Sequence, residues 1–167
     1  MRPAYGAEEI GIGGHLVTIV VDVANVMGSR PDGWWRDRAG AAVRLHAEIA
    51  RLAASGRAIL PDAQEAPGQG PPGFVLVLEG AANAAVARLP AGERGGPGGS
   101  AAADPVRPGE VRVVQARGSG DDAIVAQVRE LPGRRVVVTA DRELRERCLA
   151  AGAEVLGPSW LLGLLRG

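Results

Sequence analysis

The stretch His15-Leu-Val-Thr-Ile-Val-Val21, followed at once by Asp22, decides the fold of this chain. The run is apolar without alternation, which is typical of a strand covered by helices on both faces. Phe74-Val-Leu-Val-Leu78 and Arg135-Val-Val-Val-Thr139 have the same character, and an acidic residue follows each of them within two positions. Because such strands alternate with helical segments, we predict an α/β fold: a three-layer sandwich around a mainly parallel sheet of about five strands.

The other elements are predicted from apolar spacing and turn residues. We expect helices at about residues 35–54, 81–89, 120–131, 141–151 and from 158 onward, and further strands at 111–115 and 154–156. Residues 1–14 are Gly-rich and aperiodic and are predicted to form a flexible tail. The stretch 90–109 is so rich in Gly, Pro and Ala that we expect a mobile loop. The chain is therefore predicted to form one domain over residues 15–167.

Composition excludes several classes of protein. The 167 residues suffice for one core, and no apolar stretch is long enough for a membrane span or a signal peptide, so we expect a cytoplasmic protein. The formal net charge is zero, so a nucleic-acid site must be a local patch. One cysteine and two histidines supply neither a disulfide framework nor a zinc site. Cys148 lies among apolar residues and is expected to be buried.

Acidic residues recur where predicted strands end or helices begin. They are Asp22, Glu79, the pair Asp121 and Asp122, and Asp141. Each has a structural explanation, since Asp stabilises turns and caps helices, and Ser119 with Asp122 has the capping-box spacing. However, the carboxyl ends of parallel strands share one crevice, where these carboxylates would repel one another unless a cation lay between them. A cluster of oxygen ligands without His or Cys predicts a site for Mg²⁺ or Mn²⁺.

Three short blocks resemble the signature blocks of NYN domains, PIN-like ribonucleases that include the YacP group. They are Asp22-Val-Ala-Asn25-Val-Met-Gly28, Gly118-Ser-Gly-Asp-Asp-Ala-Ile124 and Val138-Thr-Ala-Asp-Arg142. The resemblance implies a PIN-like, Rossmann-like fold and metal-dependent RNA cleavage. It also implies a set of catalytic residues, namely Asp22, Asn25, Asp121, Asp122 and Asp141, and Glu79 is similar in place to an Asp of YacP-like members. This chain departs from the family at Val23, where Gly is usual, and in the loop 90–109, which resembles an insertion.

Aromatic and basic residues near the predicted crevice are candidates for substrate binding. Trp34 and Trp35 are close to Arg36 and Arg38, and such groups can stack on bases and hold phosphates of single-stranded nucleic acid. The alternative is that at least one Trp packs on the sheet as a hydrophobic anchor. Arg30 and Arg142 are further candidates at the rim.

The last segment, Trp160-Leu-Leu-Gly-Leu-Leu165, is apolar almost all round. It predicts either burial in the core or a contact in a homodimer.

The function predicted from these features is that of a Mg²⁺- or Mn²⁺-dependent endoribonuclease, in which water activated at the Asp cluster hydrolyses an RNA phosphodiester bond. Two alternatives stay open. One is a phosphohydrolase that acts on a small nucleotide, and the other is a catalytically weak RNA-binding module in which the acids serve mainly as caps.

Overall fold

The computed structural model describes residues 16–62, 70–90 and 104–167 of the chain. Five parallel strands form one sheet in the order β3-β2-β1-β4-β5. The strands are β1 (Val17–Asp22), β2 (Gly73–Leu78), β3 (Val111–Gln115), β4 (Arg134–Val138) and β5 (Glu154–Leu156). The predicted α/β sandwich with a parallel five-stranded sheet is therefore confirmed.

Helices cover both faces of this sheet. The α-helices are α1 (Val23–Gly28), α2 (Arg38–Ser55), α3 (Gly120–Glu130), α4 (Arg142–Ala150) and α5 (Pro158–Arg166), and 3₁₀ helices span Trp34–Arg36 and Gly80–Arg88. Successive side chains of β1 alternate between the faces. Ile19 packs with residues of α1, α2 and α5, whereas Val20 packs with residues of α3 and α4. Both faces are buried, and β1 is apolar except for Thr18 and the terminal Asp22.

The start of the first long helix differs from the sequence prediction. A helix was expected from about Trp35, but α2 begins at Arg38 and a separate 3₁₀ turn holds Trp34–Arg36. Asp37 causes the break, because its backbone is non-helical (φ −149°, ψ 83°) and its side chain accepts a hydrogen bond from the Gly40 N–H. Such an N-cap ends one segment and begins the next. The segment predicted as a helix at 81–89 is also a 3₁₀ helix.

Several further predictions concern buried residues and the chain ends. Cys148 is buried as predicted, and burial raises the pKa of its thiol to about 11. The apolar C-terminal segment contributes Leu161 and Leu162 to the core. No helix in the described ranges is both long and apolar enough to cross a membrane. The predicted tail 1–14 and residues 91–103 of the predicted loop lie outside the described residues.

Candidate active site at the carboxyl edge of the sheet

Asp22 is the last residue of β1, at the carboxyl edge of the central strand. Its side chain is only 8% exposed. One carboxylate oxygen, Oδ1, accepts from the Asn25 N–H at 3.3 Å, so Asp22 also caps α1. Val23 starts this helix directly after the cap, and its place in α1 needs no glycine-like backbone. The departure from the family pattern at this position therefore leaves the Asp22 turn intact.

Thr139 joins Asp22 to the next loop of the sheet. It directly follows β4, which pairs with β1, and its hydroxyl donates to Asp22 Oδ2 at 2.9 Å. The same hydroxyl oxygen accepts from the Asp141 N–H at 3.1 Å. One buried side chain thus fixes both the Asp22 carboxylate and the backbone of Asp141.

Asn25 makes a second link between the same two loops. Its Oδ1 accepts from the Ala140 N–H at 2.8 Å. The amide side chain therefore holds the loop after β4 against α1. Asn25, predicted as a site residue, lies beside Asp22 in the structure and has a positioning contact there.

Asp141 is the N-cap of α4, as the capping alternative predicted. Its Oδ1 accepts from the Leu144 N–H at 2.9 Å. A capping carboxylate at a helix N-terminus can still bind a ligand through its second oxygen, because the cap uses only one. Capping and a functional role at this position are thus compatible.

The neighbouring acids Asp121 and Asp122 have different surroundings. Ser119 caps α3 by accepting from the Asp122 N–H, as the capping-box spacing predicted. The Asp122 carboxylate is 73% exposed and accepts from Arg147 Nη2 at 2.8 Å, which links α3 to α4. Asp121 is half-buried, and its pKa is raised by burial and by the charges of Asp141 and Glu79, against the opposing effect of Arg147. Asp121 is thus the member of the pair that interacts with the other acids.

Glu79 follows β2 and makes no capping bond with the 3₁₀ helix after it. Its carboxylate lies against the first residue of α3: a Cβ added at Gly120 would be 2.5 Å from Glu79 Oε2 and 3.1 Å from its carboxyl carbon. Only a residue without a side chain permits this approach. Gly120 therefore admits the Glu79 carboxylate beside Asp121.

The carboxylates at this edge act on one another electrostatically. Burial raises the pKa of Asp22, the charges of Asp121 and Glu79 raise it further, and the hydrogen bonds from Thr139 and Asn25 oppose that shift. Asp22, Glu79, Asp121 and Asp141, which come from four different loops, are thus linked by charge effects at the carboxyl edge of the sheet.

The acids at this edge are the right chemical type for a divalent metal ion, but their positions do not match a coordination site. Carboxylate oxygens are the ligands that Mg²⁺ and Mn²⁺ prefer. A cation would relieve the repulsion that adds to the effect of burial in raising the pKa of Asp22 and Asp121. Within residues 16–62, 70–90 and 104–167, however, no three Asp, Glu, His or Cys side chains are placed to hold one ion. Side-chain rotation of the partly exposed acids is required for shared coordination.

The residues predicted to bind substrate differ in whether their side chains are already engaged within the protein. The Arg30 guanidinium forms a two-pronged ion pair with Glu48, at 2.8 and 2.7 Å. Trp34 is half-buried against the core, which confirms that at least one Trp is a packing anchor, whereas Trp35 is 56% exposed. Arg36 lies over the Trp35 ring.

Arg142, the fourth substrate candidate, is the exposed first residue of α4, next to Asp141. Its role in substrate binding stays a prediction.

Two residues of the site were not singled out by the sequence reasoning. Thr139 was assigned only as a strand residue within a block, and Gly120 only as the start of a predicted helix within another block. The available signals were a hydroxyl residue two positions before an Asp, and a glycine at the first position of a helix, where glycine is not a preferred residue.

Comparisons with known proteins support the fold. No protein-family profile matches the sequence, and no curated protein matches it. Among solved structures, the chain is similar to the crystal structure of a mutant of Rae1 (YacP) from Bacillus subtilis, with a TM-score of 0.54 and 15% sequence identity. The similarity covers 90% of this chain and 76% of that chain. At this identity the likeness concerns the fold alone.

Proposed function

We propose that this chain is a metal-dependent ribonuclease whose site is the carboxylate crevice at the carboxyl edge of the sheet. The observation that carries the proposal is the placement of acids from four loops at this edge: Thr139 joins the Asp22 carboxylate to the backbone of Asp141, and the Glu79 carboxylate lies against Gly120, next to Asp121. Burial and the charges of neighbouring acids raise the pKa of Asp22 and of Asp121. Helix capping alone would not explain why these four acids lie at the same edge of the sheet. The structural likeness to a YacP protein and the resemblance of the three sequence blocks to NYN ribonucleases support the same function.

The residues that would hold Mg²⁺ or Mn²⁺ are Asp22, Asp121 and Asp141, with Glu79 beside them. Such an ion supplies a Lewis acid that favours the attack of water on a phosphodiester and offsets charge on the phosphate. The protein itself contributes positioning. Thr139 fixes the Asp22 carboxylate in one orientation, and exposed Arg142 can bind a phosphate oxygen at the rim.

A second candidate is an RNA-binding module without cleavage. Two observations favour it: Asp22 and Asp141 both cap helices, and the described residues include no ready group of three metal-binding side chains. In that case the acids would stabilise the fold without holding an ion. The two functions differ in whether a divalent ion is bound at all.

A combined binding and cleavage experiment separates these candidates. Labelled RNA is incubated with the protein in EDTA, Mg²⁺ or Mn²⁺, and thermal unfolding is recorded under the same conditions. We expect cleavage with either ion, and a metal-dependent rise in unfolding temperature, because an ion that binds only the folded state stabilises it. Asp22→Asn and Asp141→Asn should remove both effects. Glu130→Gln, at an exposed acid at the end of α3, is the matched control.

The outcomes are distinct. Cleavage that persists in Asp22→Asn and Asp141→Asn would place the chemistry elsewhere. RNA binding with neither cleavage nor a metal-dependent thermal shift would support the second candidate. Hydrolysis of nucleoside triphosphates without RNA cleavage would instead establish the nucleotide phosphohydrolase that the sequence left open.

A further inference from the structure

Trp35 is the most solvent-exposed aromatic side chain that the structure describes outside the core. At 56% exposure it is a large apolar ring presented to water, next to Trp34, which packs against the core. The two ring centroids are 6.2 Å apart and the planes meet at 88°. This edge-to-face contact is a preferred aromatic geometry, so the anchored ring holds the exposed one in place.

The position of this aromatic pair relative to the acids follows from the direction of α2. A Cβ at Gly109, just before β3 begins, would lie 3.6 Å from the Ala53 carbonyl oxygen near the end of α2, so that end is at the amino edge of the sheet. With 18 residues, α2 is about 27 Å long, whereas a six-residue strand spans about 20 Å. The start of α2, and the 3₁₀ turn before it, therefore lie at the carboxyl edge.

A second contact ties the pair to the acidic site itself. A Cβ at Gly28, the last residue of α1, would be 3.7 Å from Trp34 Cζ2. Asp22 caps the other end of α1, which is only six residues long, about 9 Å. The aromatic pair thus stands beside the carboxylate crevice, on the side covered by α1 and α2.

Cations accompany both rings. The Arg36 guanidinium lies 5.8 Å from the Trp35 centroid, and that of Arg38 lies 5.4 Å from the Trp34 centroid. In the described part of the chain neither guanidinium has a carboxylate partner, in contrast to Arg30, which is paired with Glu48. Both remain able to donate to phosphate oxygens.

Two acids in the same turn balance this charge. Asp32 accepts from the Trp34 N–H at 3.2 Å and Asp37 accepts from the Gly40 N–H at 2.9 Å, so both carboxylates serve the local backbone. Together with Arg36 and Arg38 they leave no net charge on the turn. Attraction of a polyanion from a distance is therefore weak here, and a ligand must gain most of its affinity from stacking and short-range contacts.

We propose that Trp35 is a stacking subsite for an unpaired base of the RNA substrate, with Arg36 and Arg38 contacting the adjoining phosphates. This inference rests on the proposed function, which makes RNA the substrate of the neighbouring crevice. An aromatic face beside guanidinium groups suits single-stranded nucleic acid, because every base has a face that stacks while a duplex keeps its bases paired. The subsite selects for unpaired RNA without reading its sequence.

Equilibrium binding in EDTA tests the subsite without relying on cleavage. The probes are a fluorescein-labelled oligoadenylate of twelve nucleotides and a blunt RNA duplex of the same length, followed by fluorescence anisotropy. Since stacking of one base contributes about 1–3 kcal/mol, Trp35→Ala should weaken single-strand binding by about fivefold to about 150-fold and leave duplex binding almost unchanged. Trp35→Phe keeps a ring and should retain much of the affinity. Leu149→Ala, which also shortens an exposed apolar side chain (48% exposed), is the matched control.

The proposed contacts of Arg36 and Arg38 with phosphates are tested by the salt dependence of binding. Two phosphates on a single strand give a slope of log affinity against log salt of about −1.4, and Arg36→Ala should reduce it by about 0.7. A strand in which the bases are replaced by abasic units should bind wild type and Trp35→Ala equally. Equal single-strand affinities for wild type and Trp35→Ala, or an equal loss with the duplex, would overturn the proposal.

The two proposals fail independently. If none of the metal ions tested supports cleavage of any RNA, but Trp35→Ala still loses single-strand affinity, the stacking subsite is supported and the nuclease function is refuted. If cleavage occurs and the Trp35→Ala affinity is unchanged, the nuclease stands and the subsite is refuted. Thermal unfolding should show Trp35→Ala still folded at the temperature of the binding assay, because the residue is 56% exposed and its loss removes mainly the contact with Trp34.

Discussion

The Thr139 hydroxyl donates a 2.9 Å hydrogen bond to Asp22 Oδ2, between residues 117 positions apart in the chain. The bond connects the carboxyl end of the central strand β1 to the residue that follows its neighbour β4. Because the same hydroxyl accepts from the Asp141 N–H, one side chain sets the distance between two of the acids.

Thr139→Val should therefore lower both stability and activity. The substitution keeps the shape of the side chain but leaves the buried Asp22 oxygen and the Asp141 N–H without their partner, which costs about 1–3 kcal/mol in unfolding free energy. Thr139→Ser keeps the hydroxyl and should retain most of both properties. Urea unfolding and RNA cleavage measure the two effects. Equal behaviour of the Val and Ser variants would show that the hydroxyl does not position the acids.

The raised pKa of Asp22 predicts a pH-dependent cost to stability. A carboxyl whose folded-state pKa exceeds its ordinary value, near 3.8, favours folding while it is protonated, and this contribution is lost as the pH rises through the folded-state pKa. Asp22→Asn has no such loss. Relative to wild type, the variant should thus gain stability as the pH increases from about 4 to neutral. Urea unfolding in a chelator at several pH values measures the difference, and a difference that is constant or shrinks with pH would contradict this prediction.

Asp121→Asn and Asp122→Asn should have unequal effects on activity. Asp121 interacts with Asp141 and Glu79, whereas the exposed Asp122 carboxylate is paired with Arg147 on α4. We expect loss of RNA cleavage and of metal binding in Asp121→Asn, and only a small change in Asp122→Asn. Cleavage rates at several Mn²⁺ concentrations test this. A larger loss in Asp122→Asn would mean that the Arg147 pair opens when the ion binds.

The architecture could be predicted from the sequence because the strands are apolar on both faces. Runs such as Phe74–Leu78 have no polar alternative, and their covering helices follow from the alternation of elements. The acids at strand ends were also predictable as a group, since parallel strands present one common edge. The start of α2 was not, because no Gly or Pro stands between Trp35 and Arg38 and only the cap at Asp37 separates the two segments.

Which individual residues belong to the site depends on tertiary contacts, and local sequence patterns do not predict these contacts. Asp121 and Asp122 are adjacent, so about 100° of helical rotation separates their side chains, and either one could have faced the crevice. Arg147, 25 positions later, distinguishes the two, because its guanidinium donates a hydrogen bond to the Asp122 carboxylate. Similarly, Thr139 gains its role only when β4 pairs with β1.

The last prediction concerns Gly120, where stability and function should change independently. An added Cβ would meet the Glu79 carboxylate at 2.5 Å, but that group is the end of a flexible, exposed side chain and can swing away. Gly120→Ala should therefore cost little stability, or even gain up to about 1 kcal/mol, because Ala favours helices over Gly. Metal affinity and RNA cleavage should fall, since Glu79 leaves its place beside Asp121.

Gly118→Ala is the matched control, because an added Cβ there meets nothing within 4 Å. The decisive comparison adds Gly120→Ala to Glu79→Ala. If Gly120 acts by admitting the Glu79 carboxylate, its substitution should have no further effect on metal affinity once that carboxylate is gone, a non-additivity expected of residues in contact. A full and additive loss in the double variant would show that Gly120 acts independently of the Glu79 carboxylate, through the backbone of α3 itself.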